Sequence, residues 1–227
     1  ESFSDACDVL EKAEDFDLAV HDLIKEYASK HQRIVFNGNG YSDEWIAEAE
    51  RRGLPNVKTM VDATASLYDP KTIEMFERQH VFNKTELESR AEINYEAYAK
   101  AINIEAKTMI EMASKQYIPA VISYVTSLAD SINSISAACA EADLSVQKDL
   151  LTKCSSLLAE AQKALNDLVA ADAKANSMEE GKEQAEFFKD TVFTTMASLR
   201  APIDKLEMLV DKEYWPVPSY GDMLFEV

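Results

Sequence analysis

A glycine-rich turn between a strand and a helix can aim consecutive backbone N–H groups at an anion. Asn37-Gly38-Asn39-Gly40 has that form: it follows Arg33-Ile34-Val35-Phe36, the one run with strand character, and precedes Ser42, an N-cap with Trp45 three residues on. The loop lacks the third glycine of a dinucleotide fingerprint and the Lys-Ser/Thr pair of a P-loop. A tight turn with positive φ at its glycines is the plainer reading. His21, His31 and His80 show no metal-ligand spacing, and His21 lies near Asp17 and Asp22 as a lone helix-surface histidine does. Glu and Asp are abundant enough to supply paired carboxylates for acid–base work, but on helices this acidic such pairs arise by chance. No Ser/His/Asp or Cys/His arrangement stands out by spacing. Met109, Met112, Tyr117 and Tyr124 could line a ligand pocket, although a bundle core accounts for such a stripe more simply. The sequence therefore nominates no catalytic, cofactor-binding or metal-binding residue.

The elements that would position these groups are mainly helical. Residues 3–30 carry Phe3, Val9, Phe16, Val20, Leu23, Ile24 and Tyr27 at a period near 3.6, which predicts one or two helices. A short helix is expected from Ser42 to Arg52, closed by Gly53 with Pro55 beyond; Asp62 and Asp69-Pro70 begin two more. From Thr85, whose spacing to Glu88 fits a capping box, a helix of about 50 residues runs to Ala138, on the order of 75–80 Å at 1.5 Å per residue. Its stripe includes Tyr95, Ile102, Met109, Met112, Gln116, Val121 and Tyr124, and Pro119 should kink or break it. A second helix is read over 143–175, with Leu151, Cys154, Leu158, Ala161, Leu165 and Leu168 inward. A third covers 183–212, with Phe188, Val192, Met196, Leu199, Ile203, Leu206 and Val210 inward. Lys153 and Lys189 fall on the solvent side of this phase. Long striped helices with short connections give an antiparallel bundle. The fold class is thus mainly α. Residues 1–84 form a small helical or mixed segment with one short strand and the Asn-Gly loop, 85–212 the long-helix bundle, and 213–227 an extended tail. Pro216 and Pro218 keep that tail from continuing the helix, and Trp215, Tyr220, Leu224 and Phe225 are apolar enough to dock it.

The 227 residues are 47% hydrophobic and 28% charged, with five glycines, six prolines and a formal net charge of −18. Few glycines amid many Ala, Glu, Lys and Leu favour helix. The acidic balance argues against a nucleic-acid partner, which needs clustered Lys and Arg, and against an anionic membrane surface. Cys7, Cys139 and Cys154 form no CxxC and leave one thiol over in any disulfide scheme, so buried thiols in a reducing, cytoplasmic compartment are expected. No run of about 18 apolar residues would span a membrane, and no signal peptide opens the chain. A first residue of Glu1 in place of Met suggests that an upstream part is missing.

Three strings go further. Phe36-Asn37-Gly38-Asn39-Gly40-Tyr41-Ser42-Asp43-Glu44-Trp45 with Arg51-Arg52-Gly53-Leu54-Pro55-Asn56 resembles the region just after the catalytic core of type III glutamine synthetases. Ala101-Ile102-Asn103-Ile104-Glu105-Ala106 and Gln116-Tyr117-Ile118-Pro119-Ala120-Val121 are similar to that family's long helix, and Tyr214-Trp215-Pro216-Val217-Pro218-Ser219-Tyr220-Gly221-Asp222 resembles its C-terminus. The resemblance runs the length of the chain, mainly by pattern over 140–210. It implies a parent enzyme that joins ammonia to glutamate at the expense of ATP through γ-glutamyl phosphate, with Mg²⁺ or Mn²⁺. It also implies that the nucleotide, metal and phosphate-binding residues lie upstream of Glu1, so that no cofactor belongs to this segment. The expected partners are the upstream catalytic part of the same chain and further copies in a homo-oligomer, with the helices serving assembly. The alternative is a free-standing helical interaction module.

Overall fold

The computed structural model describes residues 1–225; Glu226, Val227 and the side chain of Phe225 lie outside the described residues. The chain divides into two compact units, Glu1–Ala91 and Glu92–Val227.

In the first unit, short helices begin and end where polar caps and turn residues direct. α1 (Ser2–Leu10) leads to α2 (Phe16–Lys30), whose N-cap Asp15 accepts from the Leu18 amide at 3.0 Å. The strand expected at Arg33–Phe36 does not form. Gln32–Ile34 is a 3-10 turn, and no strand occurs among the described residues. A lone strand has no neighbour to satisfy its backbone, and here the carbonyls of Arg33 and Val35 accept instead from the Arg52 guanidinium, at 3.1 and 2.8 Å. α3 (Asp43–Arg51) starts at N-cap Ser42, as read from the sequence, and closes at Gly53, where φ is +68°. The Leu54 amide reaches back to the Ala49 carbonyl and the Gly53 amide to that of Glu50, a Schellman closure. α4 (Met60–Ala65) is capped by Thr59, with Asp62 in its first turn and not at its start; α5 (Pro70–Arg78) begins after Asp69 as expected. His80 closes α5 in the same manner as Gly53, with φ of +54°, a conformation uncommon outside glycine. α6 (Lys84–Met112) is opened by a capping box two residues earlier than the one read from the sequence. Asn83 and Glu86 each bond the other's amide, at 3.0 and 2.8 Å, in place of Thr85 and Glu88.

The second unit contains the larger core. A π-turn at Ala113–Tyr117 joins the end of α6 to α7 (Ile118–Ala138), so of the kink or break expected at Pro119 the break does not occur. Pro119 cannot donate to the carbonyl four residues before it, and the widened turn falls just ahead of it. The extra residue also changes the phase: the buried stripe passes Ile102, Ala106 and Ala113 and then steps five places to Ile118 and on to Val121. Gln116, read as part of the stripe, is exposed for that reason. α8 (Ser145–Asn176) returns beside the first rod. Asn176 near its end exchanges side-chain amide bonds with Asn103, at 2.9 and 3.3 Å, which fixes the antiparallel register. α9 (Lys182–Phe187), a second π-turn at Phe188–Val192 and α10 (Phe193–Glu207) make the third rod. All seven residues of its expected stripe are buried. On α8, Cys154, Ala161, Leu165 and Leu168 are buried, whereas Leu151 and Leu158 are half-buried. Lys189, expected in solvent, has a side chain only 18% exposed. Among the described residues no helix is long and apolar enough to cross a membrane.

After α10 the chain is free of helix only over residues 208–219. It then turns into α11 (Tyr220–Phe225), where the sequence predicted an extended path to the end. Ser219 caps the Asp222 amide at 3.3 Å, and Asp222 accepts from the Ser219 amide at 2.9 Å and pairs with Lys212. Tyr214 and Trp215 are docked as expected, but Tyr220 and Leu224 are 83% and 76% exposed.

Candidate functional site

The Asn-Gly loop is the most elaborated local structure of the first unit. Phe36 folds over Gly38 and stacks on Trp45, ring centroids 4.2 Å apart and planes 25° from parallel. The Arg52 guanidinium lies 5.5 Å from the centre of the Trp45 ring, on the same side of α3, since the two positions are seven apart. Glu48 accepts from Arg51 through two bonds, at 2.6 and 2.7 Å, and from Arg52 at 2.6 Å. Hydrogen bonds from Arg51 first and Arg52 second lower the Glu48 pKa from 4.5 to about 2. Loop, aromatic pair and arginine thus form one cross-braced turn.

This arrangement does not make a phosphate cradle. The Tyr41 amide donates to Asn39 Oδ1 at 3.0 Å and the Ser42 amide to the Asn39 carbonyl at 3.1 Å, so neither is free to bind an anion. Gly38 and Gly40 do not adopt positive φ, contrary to the reading of the loop as a left-handed turn; among the glycines only Gly53 and Gly181 do. Gly38 leaves room for the Phe36 ring, since a Cβ there would lie 2.6 Å from it and the ring would have to shift. Sequence reasoning missed Arg52 and Glu48. Their i,i+4 spacing, with Trp45 a further turn back, was the signal available.

The remaining candidates are dispersed. His21 Nδ1 lies 3.2 Å from Asp22, His31 packs edge-on to Tyr27, and His80 is a helix closure. Contrary to the expectation of buried thiols, Cys7 and Cys139 are exposed; Cys154 is buried, with its thiol pKa raised by desolvation. Among the described residues no three His, Cys, Asp or Glu side chains converge as a metal site would require. Of the methionine and tyrosine stripe, Met109 lines an open cleft with Ile104, Phe193 and Met196, where Thr108 bonds its own helix and Arg200 pairs with Asp204. Tyr117 and Tyr124 instead receive the tail: Trp215 lies 5.1 Å from Tyr117 and Tyr214 lies 5.7 Å from Tyr124, centre to centre. Burial raises both tyrosine pKa values. The Trp215 indole N–H is buried without an acceptor among the described residues.

A protein-family comparison decides the lineage. The family described as "Glutamine synthetase C-terminal domain" matches residues 19–136, more than half of the chain, and these contain the braced loop and the π-turn before Pro119. The chain belongs to the glutamine synthetase C-terminal domain family. Relatives extend the likeness to most of the sequence. A "Glutamine synthetase" of Butyrivibrio fibrisolvens is 38% identical over 212 residues, and one of Bacteroides fragilis (strain YCH46) is 32% identical over 213; each alignment covers 92% of this chain. A "Type-3 glutamine synthetase" of Dictyostelium discoideum is 32% identical over 216 residues, covering 91%. The chain spans about 30% of the length of the curated relatives it matches.

Proposed function

We propose that this chain is the helical C-terminal module of a type III glutamine synthetase, a cytoplasmic homo-oligomer that ligates ammonia to glutamate with ATP. In this reading the module contributes structure and assembly, and catalysis belongs to the part of the longer protein outside it. One observation carries the proposal: alignments that cover 92% of the chain take in only 30% of a glutamine synthetase. The dispersed polar groups support it, since the acidic side chains with the most depressed pKa values, Glu48 and Asp222, are each held by neighbouring cations and hydrogen-bond donors. ATP and Mg²⁺ or Mn²⁺ then bind the longer protein elsewhere. A γ-glutamyl transfer assay tests this. The longer protein encoded by the gene turns over and the pure 227-residue chain does not. Turnover by the chain alone that a substitution within it abolishes, or a gene that encodes nothing upstream, would falsify the proposal.

A further inference from the structure

The first 35 residues form helices without a core. No residue of α1, α2 or the 3-10 turn is buried, whereas α7, α8 and α10 each bury two or more. On α2, Val20, Leu23 and Tyr27 are half-covered, and Phe16 and Ile24 flank that stripe at 60% and 64% exposure. Phe3 is 90% exposed, and Ile34 and Val35, just beyond α2, are 60% and 59% exposed. Nine- and fifteen-residue helices are marginal in water unless an apolar face is packed. Exposed apolar side chains at helical spacing along α2 are of the kind that marks a contact site.

We infer that the apolar side of α2, with Phe16 and Ile24 as its exposed members, is the face on which the remainder of the longer glutamine synthetase chain docks. The inference rests on the functional reading above. Relatives more than three times as long supply the occupant on the same polypeptide, so the contact forms at high effective concentration. Charge disfavours a second copy of this face. Between Glu1 and Val35 there are nine acidic residues against four basic ones, and two such surfaces repel. The docking surface of the occupant should therefore be apolar at its centre and basic at its edge. The same balance disfavours an anionic membrane.

The test uses the longer protein with a single cysteine introduced by Ile24→Cys or by Asp22→Cys, on opposite sides of α2, and follows maleimide labelling of that peptide by mass spectrometry. Docking predicts labelling at least tenfold slower at position 24 than at position 22, independent of protein concentration. Equal rates overturn the inference. Protection lost on dilution also overturns it, because the occupant is then a second copy. Should Ile24→Cys misfold, hydrogen exchange of the unsubstituted longer protein gives the same decision: the amides of 16–30 exchange at least tenfold more slowly than those of an unpacked helix, or the face is not covered. Glutamine formation is measured alongside. An active protein with an open α2 sinks only the docking face, and an inactive protein with a protected α2 sinks only the functional reading.

Discussion

At the residue scale, the loop from Phe36 to Arg52 turns on two positions. Gly38 leaves the space that Phe36 needs to reach Trp45. Gly38→Ala places a Cβ 2.6 Å from the Phe36 ring, which must swing away and give up its stack. Loss of an aromatic pair is worth about 0.5–1.5 kcal/mol, so Gly38→Ala should destabilise the first unit by that order. Gly40→Ala, with nothing within 4 Å of the new Cβ, should be neutral. Chemical melts followed by Trp45 fluorescence in a Trp215→Phe background compare them. Glu48 sets a pH dependence. Its folded pKa of about 2 lies below the ordinary 4.5. The stabilisation is therefore complete above about 4.5 and is lost as pH falls through the interval down to about 2. Trp45 fluorescence should report loosening of the loop across that window, and Glu48→Gln should flatten the profile; an unchanged profile would show that the Arg51 and Arg52 bonds do not brace the loop. The α3 caps were legible in the sequence because Ser42 and Gly53 act on adjacent backbone. The Phe36, Trp45 and Arg52 association was not, because it depends on where the chain before the loop folds back.

At the element scale, the bundle obeys its heptad-like spacing, with the exception introduced by the first π-turn. Leu199, 1% exposed, should cost about 2–5 kcal/mol when changed to alanine, and half-buried Leu158 less. Lys153→Ala, on an exposed i,i+4 pair, should stay within about 0.5 kcal/mol. Lys189→Ala should exceed that, since its stem is largely covered. Urea melts of the four variants check the ordering, and a Lys189 variant as neutral as Lys153 would place that stem in solvent. Trp215 offers a separate contrast. Trp215→Ala removes the contact with Tyr117 and should cost roughly 1–3 kcal/mol for a half-buried ring. Trp215→Phe keeps an aromatic ring and removes a buried N–H without an acceptor, itself a penalty of about 1–3 kcal/mol, so it should be close to neutral or stabilising. A phenylalanine variant as unstable as the alanine one would mean that the indole N–H has a partner.

At the scale of the whole molecule, a net charge of −18 over 227 residues makes self-repulsion a general destabiliser. Screening lengths fall from about 30 Å at 0.01 M salt to about 8 Å at 0.15 M, so the melting temperature should rise with sodium chloride over that range, as calorimetry would show. A flat response would mean that local ion pairs already offset the repulsion. The sequence by itself determined the helical class, the stripe of the third rod, the caps at Ser42 and Asp69 and the likeness to glutamine synthetases. Each of these is written in neighbouring residues, in a repeat of three and four, or in long specific strings. Tertiary structure alone decided that Arg33–Phe36 is no strand, that the rod stays whole through Pro119 while Gln116 turns outward, and that Trp215 docks where Tyr220 and Leu224 do not. Those outcomes depend on which backbone groups find partners and which surfaces are already covered by residues distant in sequence, and local pattern carries no record of either.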